Sequence, residues 1–159
     1  ISIGRFEEKY TSDVKTSFSI FQNDGTRPPV TADDQSDLLN ITKAYIGAGG
    51  DFWIATDDGK LAGTIGIMPC GDGVAVLKKF FVYEKDQGEP HHFGRQLYSR
   101  LLEFAKKNNI KTVMLDTPHN TVRAHKFYEK AGFKKVSESE LPVHFSHPYK
   151  GCDFFLLNL

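Results

Sequence analysis

Three consecutive extended segments in the middle of the chain constrain its fold most. Residues 51–56, 61–68 and 74–83 are rich in apolar and β-branched side chains. Short turns at residues 57–60 and 70–73 separate them, and the Asp-Gly pair in the first turn favours a tight β-hairpin. Strands joined in this way run antiparallel. The chain therefore cannot be a simple repeat of parallel strand–helix–strand units.

Helices and further strands are predicted on both sides of these segments. Helical spacing of apolar residues predicts helices at residues 10–21, 31–46, 93–108 and 120–131. Extended segments are predicted at residues 1–7, 111–116, 133–138 and 151–159. The element order is then β-α-α-β-β-β-α-β-α-β-β, which predicts an α/β (α+β) fold.

The composition is that of an ordinary globular domain. No linker or repeat divides residues 1–159, and this length suffices for one domain with its own core. Lys and Arg together number 20, as do Asp and Glu, so net charge gives no reason to expect a nucleic-acid partner. No apolar run approaches the roughly 20 residues that cross a bilayer. Cys70 and Cys152 match no metal or redox spacing, and we expect reduced thiols in a cytoplasmic protein.

The end of the third central strand and the helix after it form the first stretch with a chemical signal. Residues 84–92 connect the strand to a helix that begins near Phe93. The first amides of a helix have no intrahelical partner and carry partial positive charge, so they suit a pyrophosphate. Gly94 lacks a side chain that would hold such a group away from the backbone. A tight turn before an ordinary helix is the alternative interpretation.

The second stretch joins a strand end to the last predicted helix. Residues 115–120 read Leu-Asp-Thr-Pro-His-Asn, and Phe127 and Tyr128 follow on the helix. Both aromatic side chains could simply fill the core. A tyrosine that faces the preceding loop could instead give its phenolic proton to a leaving group.

In this order and at this separation, the two stretches resemble the GNAT superfamily of N-acetyltransferases. The resemblance covers residues 62–133 and is strongest at residues 94–98, Gly-Arg-Gln-Leu-Tyr, and at residues 124–133. It implies a mixed, mostly antiparallel sheet of about six to seven strands flanked by about four helices, splayed after the long strand ending near Val82. It also implies an enzyme that transfers the acetyl group of acetyl-CoA to a primary amine by direct attack in a ternary complex.

The resemblance further implies roles for individual residues. The backbone at the splay would pair with the pantetheine arm of the coenzyme, at Phe81, Val82 and Tyr83. Amides at the loop end and helix start would hold the pyrophosphate, at His92, Phe93, Gly94, Arg95 and Gln96. Tyr128 occupies the position of the family's tyrosine, which protonates the departing thiolate. Two further coenzyme contacts are predicted at Phe127 and at Asn120, although counting back from Tyr128 places the family's asparagine on Thr121.

The phosphate loop departs from the family pattern, which reads Gln or Arg, two residues, Gly, one residue, then Gly or Ala. Counting back from Gly94, His92 takes the first glycine position and Glu89 the basic one. Alternatively, Gln87 and Gly88 begin the motif, and the loop carries two extra residues. Both alignments stay open at this point.

The sequence assigns neither a general base nor a metal site. Family members often carry a Glu on the long strand, where residues 74–77 of this chain read Val-Ala-Val-Leu. The candidates for a base are Glu84, His119, His125 and His144. The adjacent pair His91-His92 has no third ligand nearby and points in two directions, so we expect no metal.

Three functions compete. The first is an acetyltransferase whose acceptor is a small-molecule amine or a peptide, without a nucleic-acid or membrane partner. The second is a non-catalytic module that binds acyl-coenzyme A, which the altered loop and the absent strand Glu leave open. The third is a dinucleotide-dependent oxidoreductase, which lacks a repeated βαβ half. Residues 154–157 would complete the sheet or, as an exposed edge, pair two subunits in a homodimer.

Overall fold

The computed structural model describes residues 2–22, 40–88, 90–118, 122–142 and 152–159. Across these residues seven strands form one sheet: β1 (Ser2–Arg5), β2 (Asp51–Asp57), β3 (Lys60–Gly71), β4 (Val74–Val82), β5 (Thr112–Pro118), β6 (Lys134–Val136) and β7 (Cys152–Asn158). Their spatial order is β1-β2-β3-β4-β5-β7-β6. Every neighbouring pair is antiparallel except β4 and β5, which are parallel. The mixed, mostly antiparallel sheet implied by the resemblance is confirmed.

The helices fall where the apolar spacing predicts them. They are α1 (Thr11–Gln22), α2 (Phe93–Lys107) and α3 (Val122–Lys130), with a helical turn of π-type hydrogen bonding at Thr42–Ile46 and short 3-10 turns at Glu8–Tyr10, Glu84–Asp86 and Glu138–Glu140. The predicted second helix, residues 31–46, lies outside the described residues as far as residue 39. Within the described ranges, no helix combines the length and apolar character needed to cross a membrane.

Both predicted hairpins form. Asp58 and Gly59 have φ angles of 53° and 77°, and Asp72 and Gly73 have 54° and 75°. Two successive positive φ angles define a type I′ turn, whose twist matches that of the flanking strands. Strand β3 runs to Gly71, three residues further than its hydrophobic pattern predicts.

The two faces of the sheet bury different clusters, named here face A and face B. Face A packs against α2 and α3, and its core includes Ala75, Leu77, Val113, Leu115 and Tyr128. Face B buries Val74, Val76 and Met114, which have the opposite parity on the same strands, and a second cluster that includes Phe52 and Phe81 with Val14 of α1. The sheet is thus buried on both sides, as a layer between helices requires.

Candidate functional site

The parallel junction between β4 and β5 opens early. The ladder between these strands has three residue pairs and ends at Val76 and Met114. Strand β4 continues to Val82, so the part of β4 from Leu77 onward has no β5 partner. The predicted splay at Phe81 and Val82 therefore lies within a longer opening that begins after Val76.

A β-bulge in β4 shapes the edge of this opening. Thr64 and Gly66 of β3 are two residues apart, but their partners Phe81 and Lys78 are three residues apart. Lys79 occupies the extra position with φ of 54°, and its carbonyl accepts a hydrogen bond from the buried Thr64 hydroxyl at 2.6 Å. An extra residue reverses the alternation of side chains along a strand. Sequence reasoning missed this bulge, because lysine is not a residue that marks a left-handed position.

The reversal brings two even-numbered β4 side chains to face A. Before the bulge, Ala75 and Leu77 face α2; after it, Phe80 and Val82 join the same cluster, and Phe81 faces the opposite side. Without the bulge, the Phe80 ring would lie on face B. The bulge therefore supplies the aromatic side chain at the edge of the opening.

The end of β4 also offers a backbone acceptor that has no partner in a neighbouring strand. The Tyr83 amide donates to the Ala62 carbonyl of β3 at 2.9 Å, so the carbonyl of the same peptide, that of Val82, points away from β3 towards the opening. There it accepts a hydrogen bond from Gln87 Nε2 at 2.8 Å. A side-chain amide thus takes the place that an N–H of a neighbouring strand would occupy.

Helix α2 begins beside this strand end with its amide groups available. His92 is the N-cap residue, with φ and ψ both 50°, and makes no side-chain capping hydrogen bond. The first turn contains no acidic residue, and the first intrahelical bond runs from the Gln96 amide to the His92 carbonyl at 3.1 Å. The amides of Phe93, Gly94 and Arg95 precede that bond, which leaves a positive helix end without an internal anion.

The left-handed backbone at His92 bears on the two alignments of the phosphate loop. A φ of 50° is the conformation that favours glycine. This agrees with the alignment that places His92 at the family's first glycine. The His92 amide itself donates to the Gly88 carbonyl at 2.8 Å, and the side chain of Gln96 donates to the His91 carbonyl at 2.5 Å. Because the Gln96 backbone amide donates to the His92 carbonyl, two of the five predicted phosphate amides, those of His92 and Gln96, are engaged within the loop and helix.

Aromatic rings form the wall between α2 and α3. A Cβ atom built on Gly94 would lie 3.7–3.9 Å from Phe80, Val82 and Phe127, which is ordinary contact. The Phe80 and Phe127 rings meet edge to face with centroids 5.2 Å apart. Gly94 thus lies against the apolar wall, and packing there does not demand glycine.

Tyr128 is held at the end of α3 by the helix terminus itself. The Phe133 amide donates to the Tyr128 carbonyl at 3.0 Å and the Gly132 amide to the Glu129 carbonyl at 3.1 Å, with Gly132 at φ of 97°. This is a Schellman motif, and its usual apolar contact is the one between Tyr128 and Phe133, with centroids 5.6 Å apart. The ring is 6% exposed and also faces Phe80, 6.3 Å away.

Tyr98 lies behind this wall on α2. Its ring packs against Phe127 and Phe133, with centroids 5.6 and 6.3 Å away. Its hydroxyl is buried and has no hydrogen-bond partner among the described residues. Burial raises the pKa of Tyr98 to about 12, because the phenolate would lose its hydration.

Face B of the same strand end has different neighbours. The Tyr83 hydroxyl forms a short hydrogen bond with the Ser17 hydroxyl of α1, and the Tyr83 ring meets Phe81 edge to face at 5.5 Å. A cavity of about 220 Å³ lies here, lined by Asp13, Thr16, Ser17, Gly59, Lys60, Leu61 and Tyr83. The side chains of Phe81 and Tyr83 therefore face away from α2, which leaves them a backbone role at most on face A.

The structure thus brings most of the predicted residues together and separates the others. Val82, Gly94, Phe127 and Tyr128 converge on face A, and Phe93 is fully buried in the same cluster. Arg95 and Gln96 have exposed side chains at the helix start. Asn120, Glu89, His119, Thr121 and His144 lie outside the described residues.

The remaining histidine candidate for a base belongs to another cluster. His125 Nε2 lies 3.7 Å from the largely buried Asp153 carboxylate, which also lies 3.5 Å from Lys135 Nζ. Across the described part of the chain, no group of three or more His, Cys, Asp or Glu residues is placed to hold a metal ion. Cys70 is exposed and Cys152 is partly buried.

Comparison with known proteins agrees with this geometry. The family described as Acetyltransferase (GNAT) family matches residues 17–133. Human N-acetyltransferase 8B is 29% identical over 109 residues, which cover 66% of this chain and 48% of that protein. The N-acetylaspartate synthetase of Danio rerio is 32% identical over 107 residues, 66% of this chain and 37% of that protein. The chain thus spans about half or less of the length of these relatives.

Solved structures match along almost the whole chain. An acetyltransferase from Streptococcus agalactiae has a TM-score of 0.94 and 32% identity, covering 99% of this chain and 98% of that one. A GNAT-family acetyltransferase from Staphylococcus aureus has a TM-score of 0.89 and 28% identity, with the same coverage of 99% and 98%. With the opening between β4 and β5, the uncapped start of α2 and the family match in agreement, this chain belongs to the acetyltransferase (GNAT) family.

Proposed function

We propose that this protein transfers the acetyl group of acetyl-CoA to a primary amine on a small molecule or a peptide, by direct attack in a ternary complex. The single observation that carries this proposal is the opening of the sheet after Val76, whose β4 side borders the start of α2 at Gly94 and the Tyr128 ring. In a family of acetyltransferases, these are the groups that a thioester donor needs: backbone partners, an anion-binding helix end and an acid.

The coenzyme would bind along face A. The Val82 carbonyl, now bonded to a side-chain amide, offers an acceptor to an amide of the pantetheine arm. The pyrophosphate would rest on the amides of Phe93, Gly94 and Arg95, where the helix end favours negative charge. The exposed Arg95 side chain adds a formal positive charge at the same end.

The reaction then depends mainly on aligning the amine with the thioester. The nitrogen lone pair of the amine attacks the thioester carbonyl carbon, the C–N bond forms, and the C–S bond breaks with its electron pair on sulfur. Holding the two reactants in place contributes up to about 7–11 kcal/mol in favourable cases. Tyr128 gives its proton to the departing thiolate, and an acid in this role contributes about 10²–10⁴ in rate.

The other two functions have less support. A non-catalytic module that binds acyl-coenzyme A would keep the opening and the helix start but would not need Tyr128 beside them. Membership in a family of acetyltransferases supports turnover instead. A dinucleotide-dependent oxidoreductase requires consecutive parallel strands, whereas β4 and β5 form the one parallel pair in the described sheet.

The first experiment separates binding from turnover. A thermal unfolding scan with acetyl-CoA should raise the melting temperature by several degrees, because ligand at about 100 times its dissociation constant adds about 2.7 kcal/mol. NADH should cause no rise. Release of free thiol with a panel of primary amines then measures turnover.

Replacing Tyr128 tests its role directly. Y128F should keep the thermal shift with acetyl-CoA and lower kcat by about 10²-fold or more, because the thiolate loses its acid. Y10F is the matched control, because Tyr10 packs against the face B cluster and not beside Tyr128 on face A, and should keep full activity. Equal rates for Y128F and the parent would remove Tyr128 from the mechanism.

A further inference from the structure

Two charged residues flank the opening on face B. Val76 and Met114 are the last paired residues of β4 and β5, and both side chains belong to the face B cluster. Because side chains alternate along a strand, the next residues on that face are Lys78 on β4 and Asp116 on β5. They stand on opposite sides of the opening, at the point where the two strands separate.

The surroundings of Asp116 confirm its orientation. Asp116 pairs with Phe154 of β7, and Cys152, two residues along β7, lies on the same face. The Cys152 Sγ is 3.9 Å from Asp116 Oδ2, so the thiol donates to the carboxylate. The flanking residues Leu115 and Thr117 have the opposite parity, and Leu115 is buried in the face A cluster. Asp116 is half-buried, so part of its surface reaches solvent.

The opening therefore connects two chemically different sides. Face A carries the start of α2 and the Tyr128 ring, which suit the coenzyme and its leaving sulfur. Face B carries a carboxylate at the same gap. An acceptor amine is an ammonium ion at neutral pH and must lose a proton before its nitrogen can attack, so it needs an anion and a proton acceptor on the side from which it arrives.

We propose that Asp116 receives the ammonium group of the acceptor on face B and takes its proton, which makes Asp116 the general base. This inference rests on the proposed function. It also assigns the acceptor to a class: amines that enter from face B as alkylammonium ions.

The proton balance is complete with the groups named. The ammonium gives one proton to the Asp116 carboxylate, which returns it to solvent. After the C–N bond forms, the nitrogen loses a second proton to solvent, and this loss balances the proton that Tyr128 donates to sulfur and later regains from solvent. The products are the acetylated amine, the free thiol of coenzyme A and one net proton. The sheet thus separates the acid on face A from the base on face B.

The test compares two acceptors that differ in their need for a base. Benzylamine is an alkylammonium at neutral pH, whereas aniline is already neutral and needs no proton removed before attack. We expect D116N to lower kcat with benzylamine by about 10²–10⁴. With aniline, the loss should be at least about tenfold smaller. The thermal shift with acetyl-CoA should be unchanged, because Asp116 lies on the other face.

Two controls keep the result interpretable. D72N makes the same chemical change in the β3–β4 turn, at the far end of β4, and should leave both rates unchanged. Asp116→Ser provides a second variant without the carboxylate, and circular dichroism checks that each variant folds.

The outcomes are distinct. Full activity of D116N or of the serine variant with benzylamine overturns the assignment, as does an equal loss with benzylamine and aniline. Absence of turnover by the parent with any amine of the panel would instead refute the proposed function, independently of Asp116. A parent that turns over both amines, together with a selective loss in D116N, establishes the base.

Discussion

The β3–β4 hairpin and the β4–β5 junction share one strand and use its two edges differently. Strand β4 pairs with β3 through seven residue pairs, up to Val82, but with β5 through three, up to Val76. One edge of the strand is therefore held by a neighbour along nearly its whole length, whereas the other is open over its last six residues. One edge of β4 therefore belongs to the sheet, while the other edge is available to a ligand.

Side-chain burial also differs between the β3–β4 hairpin and the β4–β5 junction. On the hairpin side, Phe52 is fully buried and meets Phe6 and Tyr45 edge to face, with centroids 5.7 and 4.9 Å away. At the opening, Phe80 is half-buried and borders the cleft. We expect substitutions in the first region to change stability and substitutions in the second to change coenzyme binding.

The largest effect should come from the buried ring. F52A should lower the free energy of unfolding by about 3–5 kcal/mol, because it leaves a cavity among packed rings. F80A should cost about 1–2 kcal/mol, since part of the Phe80 surface is already in solvent, and should weaken acetyl-CoA binding. Urea unfolding and calorimetric titration measure the two quantities. Equal losses of stability in F52A and F80A, or unchanged coenzyme affinity in F80A, would contradict this difference between the two regions.

A smaller effect is expected where the two regions meet. Gly63 of β3 pairs with Val82, and a Cβ atom there would lie 2.6 Å from the Phe81 carbonyl oxygen. G63A must therefore displace the end of β4. We expect a loss of about 1–3 kcal/mol in unfolding free energy, accompanied by weaker coenzyme binding. G4A in the edge strand β1, where a Cβ would meet nothing within 4 Å, is the matched control. Unchanged binding by G63A would show that the opening tolerates this displacement.

The smallest effect should come from the buried Tyr98 hydroxyl. Y98F removes a buried polar atom that has no partner among the described residues, and should raise the unfolding free energy by about 1 kcal/mol. The pKa of Tyr98 rises from 10.0 to about 12 on folding. Ionisation of Tyr98 therefore leaves the free energy of unfolding unchanged below about pH 10. Above that pH the unfolded chain ionises first, so the free energy of unfolding falls as the pH rises towards about 12. Y98F should lose less stability than the parent over this range in urea unfolding. A parallel decline in both proteins would contradict the assignment.

Local signals in the sequence predicted much of this fold. The Asp-Gly pair at residues 58 and 59 and Gly73 mark the two hairpin turns, and Gly132 marks the end of α3. In each case a backbone conformation restricts the residue type, so the residue reports the conformation. The apolar stripe of α2 is similarly direct, since its buried residues include Leu97, Leu101 and Ala105.

Features that depend on distant partners could not be predicted in the same way. The left-handed backbone at Lys79 is stabilised by β3 and has no signature in its own residue type. His92 adopts a similar conformation where glycine is usual. The position of Asp116 on face B depends on where the β4–β5 ladder ends, which no single segment encodes. Tyr128 is a candidate from the sequence because a family motif surrounds it, whereas the candidate Asp116 depends on the register of three strands.

The placement of β7 bears on how the chain folds as it leaves the ribosome. Strand β7 lies between β5 and β6, although both precede it in the chain. Until β7 emerges, β6 has no neighbour in the sheet, and β5 holds only its three pairs with β4. The nascent chain must therefore keep an apolar edge of β5 exposed from the synthesis of β5 until β7 follows, a state in which association with other chains competes with folding. In the described sheet, β7 is the strand that joins β6 to β5.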